Sequence, residues 1–171
     1  MTQKLFQMRK IFILVFTIGF IACNQQSQDG HLDLQNQIDS LRNKIAHAYS
    51  PGVGEFMSSI QMHHAKLWFA GKNENWDLAN FEIEEILESL DDIRQYCADS
   101  PSIKPLPMIF APLDSVKRAI SEKNIGMFKT SFNLLTNTCN SCHQASAHAF
   151  NVIRIPVAPP VTNQVFEKSN N

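Results

Sequence analysis

Residues 124–143 read NIGMFKTSFNLLTNTCNSCH. Within them Phe128, Phe132, Leu135, Cys139 and Cys142 recur at spacings of 4, 3, 4 and 3, the rhythm of a helix with one apolar face. Asn124 suits the cap of that helix, because a short polar side chain can accept from a free N–H in the first turn. The preceding chain repeats the pattern. From a cap at Asn75, Ala79, Ile83, Ile86, Leu90, Ile93 and Cys97 follow at spacings of 4, 3, 4, 3 and 4. The other face of this segment holds Glu82, Glu84, Glu85, Glu88, Asp91 and Asp92, expected to be solvated, with a docking patch for a basic partner as the lesser alternative. Two more helices are expected, one from about Val53 to Ala70 ending at Gly71, the other with Pro112 in its first turn and running to about Lys123. Ser100-Pro101 and Pro105 to Pro107 read as a rigid loop between them. No stretch alternates apolar and polar residues long enough for a sheet. Four amphipathic helices on short connections predict an all-α fold, an antiparallel four-helix bundle over residues 51–150.

Around that domain lie four further segments. Residues 31–50 carry Leu34, Ile38, Leu41 and Ile45 at spacings of 4, 3 and 4, a leader helix expected to pack on its own domain. The alternative is a stalk or a contact between two copies in a homodimer. Residues 151–171 form a tail in which Val152 and Arg154 alternate with Ile153 and Ile155 before Pro156, Pro159 and Pro160, as an extended strap would. At the other end Lys4, Arg9 and Lys10 precede an apolar run of 12 residues from Ile11 to Ala22. A spanning helix takes about 20, so residues 1–22 are expected to be a signal peptide. Cys23, after a small residue at the end of such a run, resembles the lipobox of bacterial lipoproteins, although Phe20 stands where Leu is usual. That resemblance implies an acylated Cys23, and hence an exported protein anchored to a bacterial membrane and facing a periplasm or the cell exterior. Asn24 to Gly30 is polar, a tether spanning residues 23–30.

Charge excludes one class of partner. The chain has 15 Lys and Arg against 16 Asp and Glu, and losing Lys4, Arg9 and Lys10 leaves 12 against 16. An acidic chain has no surplus for binding the phosphates of nucleic acid.

The chemistry lies in Cys139-Asn140-Ser141-Cys142-His143, the C-x-x-C-H pattern by which haem c, with its iron, is attached. Two thiols three positions apart can each add to a vinyl group of one porphyrin, and the adjacent imidazole reaches the iron as an axial ligand. A zinc site would need further Cys or His ligands at short spacing, a redox dithiol belongs after a strand at a helix N-terminus, and a plain disulfide leaves His143 without a role. Cys97, on an apolar stripe, is expected to be a buried small hydrophobe.

C-x-x-C-H near the end of the fourth helix of an exported bundle resembles cytochrome c-prime and its low-spin relatives. The run Met57-Ser58-Ser59-Ile60-Gln61-Met62-His63 is similar to their first-helix pattern. A nearer likeness is to uncharacterised exported bacterial haem proteins with similar runs at His64-Ala65-Lys66-Leu67-Trp68 through Gly71, at Cys139 to Gln144, and from Ile153 through Pro156 to Asn163-Gln164-Val165-Phe166. The resemblance covers about residues 51–166 and implies a haem-bearing bundle. The lipid anchor, leader helix and Pro-containing tail lie outside the cytochrome c-prime pattern.

Helix arithmetic ranks the residues that could face His143 across the iron. His143 lies 18 residues beyond Ile125, about 27 Å down the bundle, and Met57 lies 14 before Gly71, about 21 Å down. Met57 is therefore the expected sixth ligand. His64, only 7 residues before Gly71 and about 10 Å down, is expected to be too high, with Met62 and His63, and both histidines are read as surface or satisfied interface groups. His148 is expected to be exposed on a fraying helix end, Trp68 and Phe132 to be core aromatics, and Arg154 either to pair with a haem propionate or to be solvated. A His143/Met57 iron suits electron transfer to a redox partner protein. An unligated Met57 would instead leave a five-coordinate haem for NO, CO or a similar gas, the arrangement of cytochrome c-prime. No acid–base residue is expected beside the iron, which argues against a peroxidase-like enzyme.

Overall fold

The structure, a computed structural model, describes residues 30–45 and 51–168. The expected signal peptide 1–22, the expected acylation site Cys23, residues 24–29 of the expected tether, and residues 46–50 and 169–171 of the leader and tail segments lie outside the described residues. Those described are helical or irregular, with no strand among them, so the fold is all-α. None of the described helices is long and apolar enough to cross a membrane.

The chain divides into two units between Ser50 and Pro51. In the first, residues 30–45 form α1, whose seam residues Leu34, Leu41 and Ile45 are exposed. Gln37 donates to Asp33 at 2.9 Å and Gln35 to Asp39 at 3.3 Å, i,i+4 bonds along its polar side.

The second unit contains α2 (Val53–Lys72), α3 (Trp76–Tyr96), two 3-10 turns (Pro101–Ile103 and Leu106–Ile109), α4 (Phe110–Ser121) and α5 (Ile125–Ala145). Asn75 accepts from the Leu78 N–H at 3.3 Å and Asn124 from the Met127 N–H at 3.0 Å, so both caps act where the sequence sets them. Each helix packs on the next, and α5 returns to α2. The shared core includes Leu67, Ile83, Ile93, Leu113, Val116, Phe128 and Phe132, all essentially without exposed surface. Burying each such side chain contributes about 1.5–3 kcal/mol against the entropy of ordering the chain.

Two local expectations are corrected. Gly71 does not end α2, which runs on to Lys72; a Cβ there would lie 2.1 Å from Phe128 Cζ, so the glycine lets α5 approach. The helix stops instead at Glu74, which takes a left-handed φ of 57° while the Asn75 N–H reaches the Ala70 carbonyl and the Glu74 N–H that of Gly71. Lys123 (φ 50°) closes α4 and Ala147 (φ 63°) closes α5 in the same way, so three such stops occur without a glycine at the left-handed position. The connection between α3 and α4 carries the two 3-10 turns, and Leu106 and Ile109 in it are buried. α4 begins at Phe110, which puts Pro112 in its first turn, where the sequence sets it. The second correction is Glu82, which is fully buried rather than solvated. It lies three residues after Ala79 and four before Ile86, on the inner face, and its Oε2 accepts from His63 Nδ1 at 2.7 Å.

After α5 the chain runs irregularly to the opposite end of this unit. Ile155 packs on the core, Phe166 is 4% exposed with its ring 5.7 Å from that of Phe69, and the Glu167 carbonyl accepts from Asn75 Nδ2 at 3.1 Å. Cys97 is half-buried at the C-cap of α3, its Sγ 3.4 Å from the Pro51 carbonyl.

Candidate functional site

The last two turns of α5 form one wall of a cavity containing about 1200 Å³ of empty space, its open mouth included. Cys139, Cys142 and His143 all line it, as do Met57 and His64 of α2, Ile86 and Leu90 of α3, and Leu106 and Ile109 of the second 3-10 turn. The spacing that makes α5 amphipathic is what brings both motif cysteines onto this wall.

Both thiols are free. Burial, and secondarily the neighbouring Cys142, pushes the Cys139 thiol up to about 12, and burial also raises that of Cys142. Activated dithiols of redox enzymes are shifted the other way, toward the thiolate. Among the described residues no three His, Cys, Asp or Glu side chains converge to hold an ion.

His143 is half-buried, and its Nδ1 lies 2.6 Å from the Asn151 carbonyl oxygen. A carbonyl can only accept, so Nδ1 carries a proton, and in the neutral ring Nε2 is then the nitrogen with the free lone pair. The acceptor is brought there by the turn after α5. The His148 N–H reaches the His143 carbonyl at 2.7 Å, and the Asn151 N–H that of His148 at 2.9 Å. Asn140, within the motif, then pairs with Ile153 twice: Nδ2 donates to its carbonyl at 2.8 Å and Oδ1 accepts from its N–H at 2.7 Å.

Contacts across α2 and α5 fix the levels. His64 meets Phe132 and Thr136, while Trp68, further along α2, meets Phe128 and Phe132, earlier on α5, so the two helices run in opposite directions. Seven residues back from His64 is Met57, and seven on from Thr136 is His143; each step is about 10 Å. Met57 on α2 and His143 on α5, both lining the cavity, therefore share a level. Met57 is half-buried and also packs against the core.

His64 departs from its sequence reading. It lies two turns deeper than Met57, but it is 3% exposed and lines the same cavity. Its Nε2 is 2.9 Å from Thr136 Oγ1, whose own proton goes to the Phe132 carbonyl at 2.9 Å. The hydroxyl must therefore accept, leaving His64 Nδ1 as a buried lone pair without a hydrogen-bond partner. Burial lowers the His64 pKa to about 4. His63 faces Glu82 and Met62 is 40% exposed; neither lines the cavity. His148, expected to be exposed, is half-buried and lines it, because the helix end is fastened rather than frayed; its Nδ1 donates to the Ser146 carbonyl at 2.7 Å. Arg154 is exposed, and its neighbour Ile153 is the one that lines the cavity.

Asn140, Asn151, Leu106 and Ile109 are parts of the site that sequence reading passes over. Motif spacing constrains only Cys139, Cys142 and His143, and the others carry no periodic signal. The donor set fits a covalently held haem: two protonated, unpaired thiols and an imidazole with a free Nε2 on one wall of an apolar cavity. No family model, curated protein or solved structure matches the chain.

Proposed function

We propose that the chain is an exported c-type cytochrome, anchored to a membrane through an acylated Cys23, that passes electrons to a redox partner protein. In this reading α2 to α5 form an antiparallel four-helix bundle of the cytochrome c-prime kind. Cys139 and Cys142 would hold haem c through thioethers, and His143 and Met57 would ligate its iron. When bound, haem c would supply a one-electron iron couple, whose potential a methionine ligand together with a histidine raises. The chain's own part is to exclude water with Ile86, Leu90, Leu106 and Ile109 and to present His143 in the tautomer that can ligate.

The observation that carries the reading is the conjunction at one cavity of two free thiols, a histidine whose Nδ1 proton is held by a carbonyl, and a methionine at the same level on the facing helix. A second reading has an observation of its own: Met57 packs against the core, as a wall residue does. As a wall it would leave the iron open to NO, CO or a similar gas.

The test is expression of the full chain with a haem-attachment system, followed by mass measurement under denaturing conditions. One haem should remain bound, and Cys139→Ala with Cys142→Ala should lose it. A chain that carries no covalent haem would overturn the proposal.

A further inference from the structure

The free positions of a C-x-x-C-H motif carry no chemistry of their own, yet here one of them fastens the tail. Asn140 and Ile153 exchange two hydrogen bonds, at 2.8 and 2.7 Å, in the manner of paired strand residues. Two residues upstream on the same extended stretch, the Asn151 carbonyl takes the His143 Nδ1 proton at 2.6 Å. Asn140 and His143 are three apart on α5 and so are neighbours on its surface. The tail at 151–153 is therefore laid along the ligand-bearing face of the helix, tied at both ends.

The turn anchors Asn151 on one side through its N–H to the His148 carbonyl at 2.9 Å, but packing adds little, since Phe150 and Val152 on either side of it are 84% and 72% exposed. We propose that Asn140 is a positioning residue: by clamping Ile153 it keeps the Asn151 carbonyl on His143 Nδ1, and so fixes both the tautomer and the donor strength of the Nε2 that would ligate iron. This rests on the haem reading for its consequence at the iron, but not for its effect on the imidazole. A carbonyl held close to Nδ1–H makes the opposite nitrogen the stronger donor, as second-shell acceptors do at metal-bound histidines. A stronger donor favours the ferric state.

Asn140→Leu keeps the volume and removes both bonds, while Asn140→Asp keeps the acceptor for the Ile153 N–H and loses the donor. In full-length haem-loaded protein, Asn140→Leu should raise the midpoint potential, and in a Met57→Ala background it should lower the ferrous iron–histidine stretching frequency. Asn140→Asp should fall between Asn140→Leu and wild type. A merely structural role would lower the melting temperature and move neither quantity, so unchanged values in Asn140→Leu with haem retained overturn the proposal. Nitrogen-15 spectra of the haem-free chain separate this from failure of the haem reading. Wild type should show His143 with Nδ1 protonated and Asn140→Leu a mixture of tautomers, whereas the same single tautomer in both overturns the proposal whether or not haem attaches.

Discussion

His64 donates from Nε2 to Thr136 Oγ1 at 2.9 Å, and Thr136 passes its own proton to the Phe132 carbonyl, so the buried imidazole is held neutral with one tautomer. Its folded pKa of about 4 lies below the ordinary 6.5 because burial penalises the charged form. The unfolded chain binds the extra proton first. Stability should therefore be fully present above pH 6.5 and fall as pH drops toward 4. From this group the slope approaches about 1.4 kcal/mol per pH unit. Urea unfolding of wild type and His64→Gln across this window measures it, and a difference between them that does not change with pH would contradict the burial account.

Phe128 makes Gly71 irreplaceable. A Cβ at 71 would sit 2.1, 2.4 and 2.5 Å from three atoms of that ring, which is wholly buried with Trp68, Trp76 and Phe132 around it. The ring has nowhere to withdraw. Gly71→Ala, which elsewhere in a helix would stabilise, should here destabilise by about 1–3 kcal/mol in chemical unfolding.

Glu74, Lys123 and Ala147 hold left-handed conformations at three helix ends. A non-glycine residue there costs roughly 1–2 kcal/mol, against which glycine loses about 0.5–1 in added chain entropy. Each of Glu74→Gly, Lys123→Gly and Ala147→Gly should thus raise stability by up to about 1 kcal/mol, read as an increase in urea midpoint. A fall at all three sites would show that the strain is not there.

His63 supplies the donor for a fully buried carboxyl group, Glu82. Removing it alone, as His63→Leu, should cost about 1–3 kcal/mol, and adding Glu82→Leu should recover most of the loss. A double-mutant cycle in thermal unfolding gives the coupling directly; additive losses would mean that the pair does not interact.

The helices were legible in the sequence because burial on one face imposes a period, and the caps at Asn75 and Asn124 because few residues can accept from free N–H groups there. The helix ends were less so. Glu74, Lys123 and Ala147 carry none of the glycine signal that marks a left-handed stop, while Gly71, which looked like one, answers to a ring 57 positions away in the chain. Glu82 was misplaced by its charge, although its spacing from Ala79 and Ile86 is that of the buried face. At the site, Cys139, Cys142 and His143 are fixed by local spacing and share one wall. The partners that orient them, Asn140 to Ile153 and His143 to Asn151, depend on how the tail folds back, which no periodicity encodes. For His64 the sequence offers only a level along the helix, and level does not reveal that a residue two turns deeper can line the same cavity.

Absorption spectra of the haem-loaded chain, oxidised, reduced and then exposed to CO, test the central claim most directly. The account predicts sharp α and β bands on reduction, a weak far-red sulfur-to-iron band on oxidation, no response to CO, and loss of that state in Met57→Ala. A broad high-spin spectrum that shifts with CO would contradict Met57 ligation and electron transfer through it, leaving the cavity as a gas-binding pocket.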